Sequence, residues 1–108
     1  MVINNQQNAL YFSRSPIPFV QGKEEKNWLE KNNFWSHIGM YAYKAEVLQK
    51  ITKLTNGKLE LTESLEQLRW LENGFQIKTT ETTHQSIGID TPEDLVNALQ
   101  LLRNNIVL

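Results

Sequence analysis

An aspartate at the end of an apolar run, directly before a strongly signalled helix start, is the arrangement in this sequence best suited to bind a metal or a phosphate. The stretch is Gly88-Ile89-Asp90-Thr91-Pro92-Glu93-Asp94-Leu95. Thr91 reads as the N-cap, Pro92 as the first helical residue, and Glu93 and Asp94 as first-turn acids that complement the helix dipole. Asp94 can reach back to close an approximate capping box. Those local tasks account for Thr91, Pro92, Glu93 and Asp94, and leave Asp90 without one. Residue types alone keep two readings of Asp90 open: an acid that enjoys the positive end of the helix, or a metal ligand.

The elements that would position Asp90 and its partners follow from hydrophobic spacing. Ala9 to Ser13 is a short apolar and aromatic run that reads as a strand halted by Pro16 and Pro18. The polar stretch from Gln21 to Ser36 reads as a long mobile surface loop, spanning residues 20–36, with one helical turn around Lys26 to Lys31. His37 to Tyr43 reads as a second strand, with His37, Gly39, Tyr41 and Tyr43 on one face and Ile38, Met40 and Ala42 on the other. In that strand His37 and Tyr41 would lie roughly 13 Å apart at about 3.3 Å per residue, with a shallow hollow over Gly39. From the pattern alone, this is a half-exposed sheet face with polar ends.

Val47, Leu48, Ile51 and Leu54 give a helix over Ala45 to Leu54 that stops before Asn56-Gly57. The leucines at 61, 65, 68 and 71 give a second helix over Glu60 to Glu72, closed by Asn73-Gly74. Glu66 and Gln67 sit on it between core-facing Leu65 and Leu68, and most such polar neighbours are merely solvated. Phe75 to Thr82 is rich in aromatic and β-branched residues and favours a strand. After the polar link Thr83-His84-Gln85 comes the short Ser86-Ile87-Gly88-Ile89 run. The Thr91 helix then carries Leu95, Ala98, Leu99 and Leu102. Strands and helices alternate, which indicates the α/β class: a mixed sheet covered by helices, with short connections that leave room for antiparallel pairs.

The chain has 108 residues, enough for one domain or part of one. Eleven Lys and Arg against twelve Asp and Glu, scattered along the chain, give a net charge of -1 and no basic stripe, so no nucleic-acid partner is expected. The absence of cysteine removes disulfides, zinc-thiolate sites and thiol nucleophiles together. No run approaches the length needed to span a bilayer, and the N-terminal residues have no signal-peptide pattern, so a soluble, cytoplasmic protein without a membrane partner is expected.

Tyr11 to Pro18, His37 to Tyr43, Ser64-Leu65-Glu66-Gln67-Leu68-Arg69 and Gly88 to Leu95, in that order, resemble the C-terminal part of the 3-deoxy-manno-octulosonate (KDO) cytidylyltransferase family, also called CMP-KDO synthetases. The resemblance covers nearly the whole chain, although the helix-opening Asp-Thr-Pro-Glu-Asp also occurs in other nucleotidyltransferases. It implies the C-terminal part of a Rossmann-like nucleotidyltransferase fold, residues 1–108 being a single domain or fragment that binds sugar and dimerises, without the nucleotide-binding half. The implied reaction is attack of the sugar-acid 2-hydroxyl on the α-phosphate of CTP, releasing pyrophosphate, for lipopolysaccharide biosynthesis. On its own the fragment would be inactive; the whole enzyme would be a homodimer using CTP, KDO and Mg2+.

Carried over residue by residue, the resemblance makes Asp90 the metal ligand and assigns His37, Tyr41, Glu66 and Gln67 to the sugar acid. Arg14, by default a surface arginine, becomes a bidentate partner for the sugar carboxylate. Many relatives carry a second Arg where this chain has Gln21, so that clamp is either weaker here or completed from around Lys23 and Lys26. CMP-sialate synthetases share the chemistry but fit the His37 and Glu66-Gln67 blocks less well. From a different class, the competing expectation is a non-catalytic dimerisation or protein-interaction domain derived from such an enzyme, with exposed Trp28 or Trp35 as anchors.

Overall fold

The computed structural model describes residues 1–30, 32–83 and 88–105. Two short strands, β1 (Val2–Ile3) and β2 (Ala9–Tyr11), pair antiparallel with Val2 opposite Tyr11 and Ile3 opposite Ala9. The turn between them is set by Asn4, whose side-chain oxygen accepts from the Gln6 and Asn8 N–H groups at 2.9 and 3.0 Å. This lets Gln7 adopt a left-handed φ of 62°. Four α-helices follow: α1 (Ala45–Ile51), α2 (Lys58–Glu63), α3 (Gln67–Glu72) and α4 (Pro92–Asn105). The architecture is a small α/β arrangement with a two-stranded sheet.

The core is where β2 meets α3. Phe12 and Leu68 are 2% and 0% exposed, Ala9 joins them, and Tyr11, Leu65, Leu71 and Ile77 pack around the cluster. Burying side chains of this size contributes on the order of 1.5–3 kcal/mol each. Among the described residues α4 does not share this core. Leu95, Val96, Leu99 and Leu102 are exposed along it, and the radius of gyration of 17.2 Å exceeds the ~13 Å of a compact domain of this length.

Three expected elements differ. The segment from His37 to Tyr43 is not a strand: among the described residues no ladder partner reaches it, and Met40 N–H bonds back to the Ile38 carbonyl at 2.8 Å, folding the chain around Gly39. Among the described residues Phe75 to Thr82 makes one antiparallel bridge, Lys78 with Asn8, flanked by Ala9 N–H to Ile77 O at 2.9 Å and Thr79 N–H to Gln7 O at 2.7 Å. The helix expected over Glu60 to Glu72 is two helices, broken at Ser64 with φ 52°. His84 and Gln85 of the polar link, with Ser86 and Ile87 of the run that follows it, lie outside the described residues.

The break has a physical cause. Arg14 donates from Nε to the Glu63 carbonyl at 2.6 Å and from Nη2 to the Ser64 carbonyl at 2.9 Å, taking acceptors that a continuous helix would give to Gln67 and Leu68. Leu68 N–H bonds instead to the Leu65 carbonyl at 3.1 Å. A left-handed residue other than glycine costs roughly 1–2 kcal/mol, against about 0.5–1 kcal/mol for the extra unfolded-state freedom of glycine. Ser64→Gly is therefore expected to stabilise the chain by about 0.5–1 kcal/mol, read as a higher urea midpoint.

A buried ion pair closes the α2–α3 hairpin. Glu60, 7% exposed, accepts from Arg69 Nε at 2.7 Å and from Arg69 Nη2, and also takes the Gly57 N–H at 3.1 Å. A Cβ at Gly57 would displace the Glu72 carboxylate, which caps the Leu59 N–H at 3.2 Å. The Arg69 hydrogen bonds, and after them the Gly57 N–H, hold the Glu60 carboxyl below its ordinary value of 4.5 although burial opposes them. Glu63 moves the same way, chiefly because it accepts the Arg14 backbone N–H at 3.0 Å. A depressed carboxyl makes the unfolded chain the better proton acceptor, so this stability is complete above the ordinary glutamate value and is lost as pH falls through the folded one. Urea midpoints are expected to fall from ~pH 6 to ~pH 3, and Glu60→Gln should flatten that slope while lowering the neutral midpoint.

Candidate functional site

The break at Ser64 places the site. It starts α3 at Gln67, so Gln67 turns inward beside Leu68 while Glu66 stays exposed in the capping position. Gln67 lines an open-mouthed cavity of about 630 Å3 between the turn after β2, the described residues from Glu25 to His37 and the start of α3. Its polar lining includes Arg14, His37 and Gln67, three of the residues singled out from sequence. Its apolar walls are Phe12, Leu65, Trp28, Phe34 and Trp35. Gln67 is 5% exposed, yet its Nε2 has no hydrogen-bond partner among the described residues. Leaving a buried amide donor unpaired costs roughly 1–3 kcal/mol, so such groups need an explanation.

His37 and Tyr41 meet directly, unlike two residues separated along a strand. The fold around Gly39 brings their rings to 5.5 Å and the Tyr41 hydroxyl to 2.7 Å from His37 Nε2. Phe12 packs edge-on against the imidazole at 5.0 Å. On its other side Tyr41 rests edge-on against Trp70 of α3 at 5.3 Å and stacks on Tyr43 at 6.2 Å. Burial lowers the His37 pKa, which favours the neutral imidazole at neutral pH. Burial, followed by Tyr43 and Glu66, pushes the Tyr41 phenol up to about 12, so it remains a donor.

Tyr41, Glu66 and Asp90 do not line the cavity. Glu66 lies 3.6 Å from Arg69 and near enough to Tyr41 and Tyr43 to raise both phenols, so it adjoins the aromatic pair that supports His37. Arg14 lines the cavity with part of its guanidinium already bonded to the α2 terminus. Asp90 stands at the start of α4, where the expected cap forms: Asp94 N–H bonds to Thr91 Oγ1 at 3.2 Å, and Thr91 N–H to Asp94 Oδ2 at 2.9 Å. Asp90 contributes its backbone N–H to that cap at 3.3 Å, while its exposed carboxylate makes no hydrogen bond or ion pair among the described residues. Those oxygens fit the role of one ligand to a hard cation that takes the rest of its shell from phosphates and water. The described residues hold no cluster of three or more candidate ligands.

The aromatic wall was not anticipated. Glu25–Glu30 form a 3-10 helix whose Trp28 is 8% exposed, stacked on Phe34 at 5.9 Å, edge-on to Phe19 at 5.3 Å, and bonded through Nε1 to the Lys23 carbonyl at 3.1 Å. Trp28 is therefore not the exposed protein-binding anchor that the competing expectation required, and Trp35 is half-buried in the cavity wall. Two indoles and a phenylalanine within a polar stretch are more aromatic surface than a solvated loop would carry, and that was the available signal.

The fold thus presents a cavity with polar and aromatic walls and, at the start of α4, a carboxylate that does not line it. The chain belongs to the cytidylyltransferase family, whose model matches residues 1–87. It is 55% identical over 104 residues to the 3-deoxy-manno-octulosonate cytidylyltransferase of Parabacteroides distasonis, covering 96% of this chain and 41% of that protein. The protein of the same name from Bacteroides thetaiotaomicron is 53% identical, with 96% and 42% covered. A solved structure of CMP:2-keto-3-deoxy-manno-octonic acid synthetase complexed with CTP superposes with a TM-score of 0.85 at 40% identity, covering 97% of this chain and 41% of that one. The chain thus spans about two-fifths of the length of these relatives.

Proposed function

We propose that residues 1–108 are the sugar-acid-binding C-terminal part of a Rossmann-like nucleotidyltransferase that transfers CMP from CTP to KDO for lipopolysaccharide biosynthesis. The observation that carries this reading is buried Gln67, whose Nε2 has no hydrogen-bond partner among the described residues and which lines a cavity that also presents Arg14 and His37. A ligand rich in hydroxyl and carboxylate oxygens supplies the missing acceptor, while the aromatic walls cover its carbon skeleton. Arg14, His37, Tyr41, Glu66 and Gln67 serve the sugar acid, Arg14 toward its carboxylate. The whole enzyme acts as a cytoplasmic homodimer.

The sugar 2-hydroxyl attacks the α-phosphorus of CTP; the new bond is to the sugar oxygen and the bond to pyrophosphate breaks. Such chemistry rests on alignment and charge stabilisation, without a protein nucleophile. This chain holds the acceptor so that its hydroxyl faces the nucleotide, and excludes water with Trp28, Phe34 and Trp35. Magnesium, when bound, neutralises phosphate charge, and Asp90 is the residue here that would hold it. The CTP phosphates are bound by the part of the enzyme outside these residues, so the chain alone does not turn over. In the full-length protein with Mg2+, CTP and KDO, pyrophosphate release is the expected result. Release with a sialic acid but none with KDO would overturn the assignment.

A further inference from the structure

His37 offers the cavity an imidazole whose two nitrogens have different surroundings. Nε2 lies 2.7 Å from the Tyr41 hydroxyl. Were Nε2 the protonated nitrogen, the half-buried phenol would have to accept, and its own proton would find no acceptor among the described residues. Were the phenol the donor, both groups are satisfied and the imidazole proton sits on Nδ1. The phenol cannot swing away easily, since its ring is held between Trp70, edge-on at 5.3 Å, and Tyr43.

We propose that Tyr41 is a positioning residue: its hydroxyl donates to His37 Nε2, fixes the Nδ1–H tautomer, and so makes His37 a neutral hydrogen-bond donor to the oxygens of the ligand. Free imidazole favours the other tautomer, so an environment must impose this one. Trp70 holds Tyr41 from the same helix that sends Gln67 into the cavity, three residues earlier and on the same side. The two neutral donors of the site, the Gln67 amide and the His37 Nδ1–H, are therefore set by one element. A neutral donor pair suits an acid that exposed Arg14 already neutralises, because a cation on half-buried His37 would carry a desolvation cost of its own.

The tautomer needs no ligand to be tested, whereas the benefit to binding rests on the sugar-acid reading above. In the 15N-labelled chain at neutral pH, long-range 1H–15N spectra of the imidazole should show Nδ1 protonated and Nε2 as the bare acceptor; His84→Gln assigns the signals. Tyr41→Phe, which keeps the ring packing, should return His37 to the Nε2–H form or to a mixture. A wild-type Nε2–H signal, or a pattern unchanged in Tyr41→Phe, would overturn the proposal. In the full-length enzyme Tyr41→Phe should raise the KM for KDO about tenfold with the KM for CTP unchanged, and should add no further loss when His37 is already alanine. An equal loss in the His37→Ala background would mean that Tyr41 touches the ligand itself. Failure of wild-type KDO turnover would instead strike the functional reading and leave the spectroscopic result standing.

Discussion

Gln67→Leu is expected to stabilise the fold and cripple sugar-acid binding, two effects of opposite sign from one substitution. The side chain is 5% exposed and its Nε2 has no partner among the described residues, so the fold carries a desolvated amide donor to which no described residue supplies an acceptor. Leucine fills a similar volume without that donor. The expected gain is about 1 kcal/mol, the low end of the cost of burying an unpaired polar group. Against a ligand oxygen the balance reverses. A hydrogen bond to a charged group contributes about 1.5–3 kcal/mol, so affinity for the sugar acid should fall roughly 10–150-fold. Equilibrium urea denaturation and the KM for KDO in the full-length enzyme measure the two effects separately. A purely structural glutamine would show destabilisation with unchanged KM.

Asp90→Asn should produce the complementary pattern: an intact fold and a large loss of turnover. Its carboxylate supports nothing among the described residues, and the cap at Thr91 is completed by Asp94. Losing an acid from the positive end of α4 costs under ~1 kcal/mol in stability. As a ligand that shares a divalent cation with the substrate phosphates, the same acid is one of only one or two the protein supplies. Removing it should forfeit several kcal/mol of charge stabilisation, which at ~1.4 kcal/mol per tenfold is about a hundredfold or more in kcat. Magnesium titration of activity should shift to higher concentration. Normal turnover in Asp90→Asn would reduce the residue to a dipole partner.

The sequence made some of this legible and hid the rest for identifiable reasons. The cap at Thr91 and Asp94 is local chemistry, and it formed as the residue types require. Asn73-Gly74 likewise closes α3, with Gly74 at φ 79°. The break at Ser64 could not be read from leucine spacing, because its cause is Arg14, some fifty residues away, occupying the Glu63 and Ser64 carbonyls. The segment from His37 to Tyr43 alternates like a strand, but alternation specifies a strand only where an edge is free to pair with it, and here the chain folds at Gly39 instead. That fold is what joins His37 to Tyr41. Gln67 was distinguishable from any solvated glutamine only through resemblance; burial without a partner became visible once the helix break had turned it inward.

The central claim is that the unpaired Gln67 amide is kept for the sugar acid, and its own proton signals report on it most directly. In the 15N-labelled chain titrated with KDO, the Gln67 side-chain NH2 pair should shift saturably and move further than the remaining side-chain amides, with CTP alone leaving it in place. A Gln67 signal unmoved at saturating KDO, or displaced equally by CTP, would contradict the account.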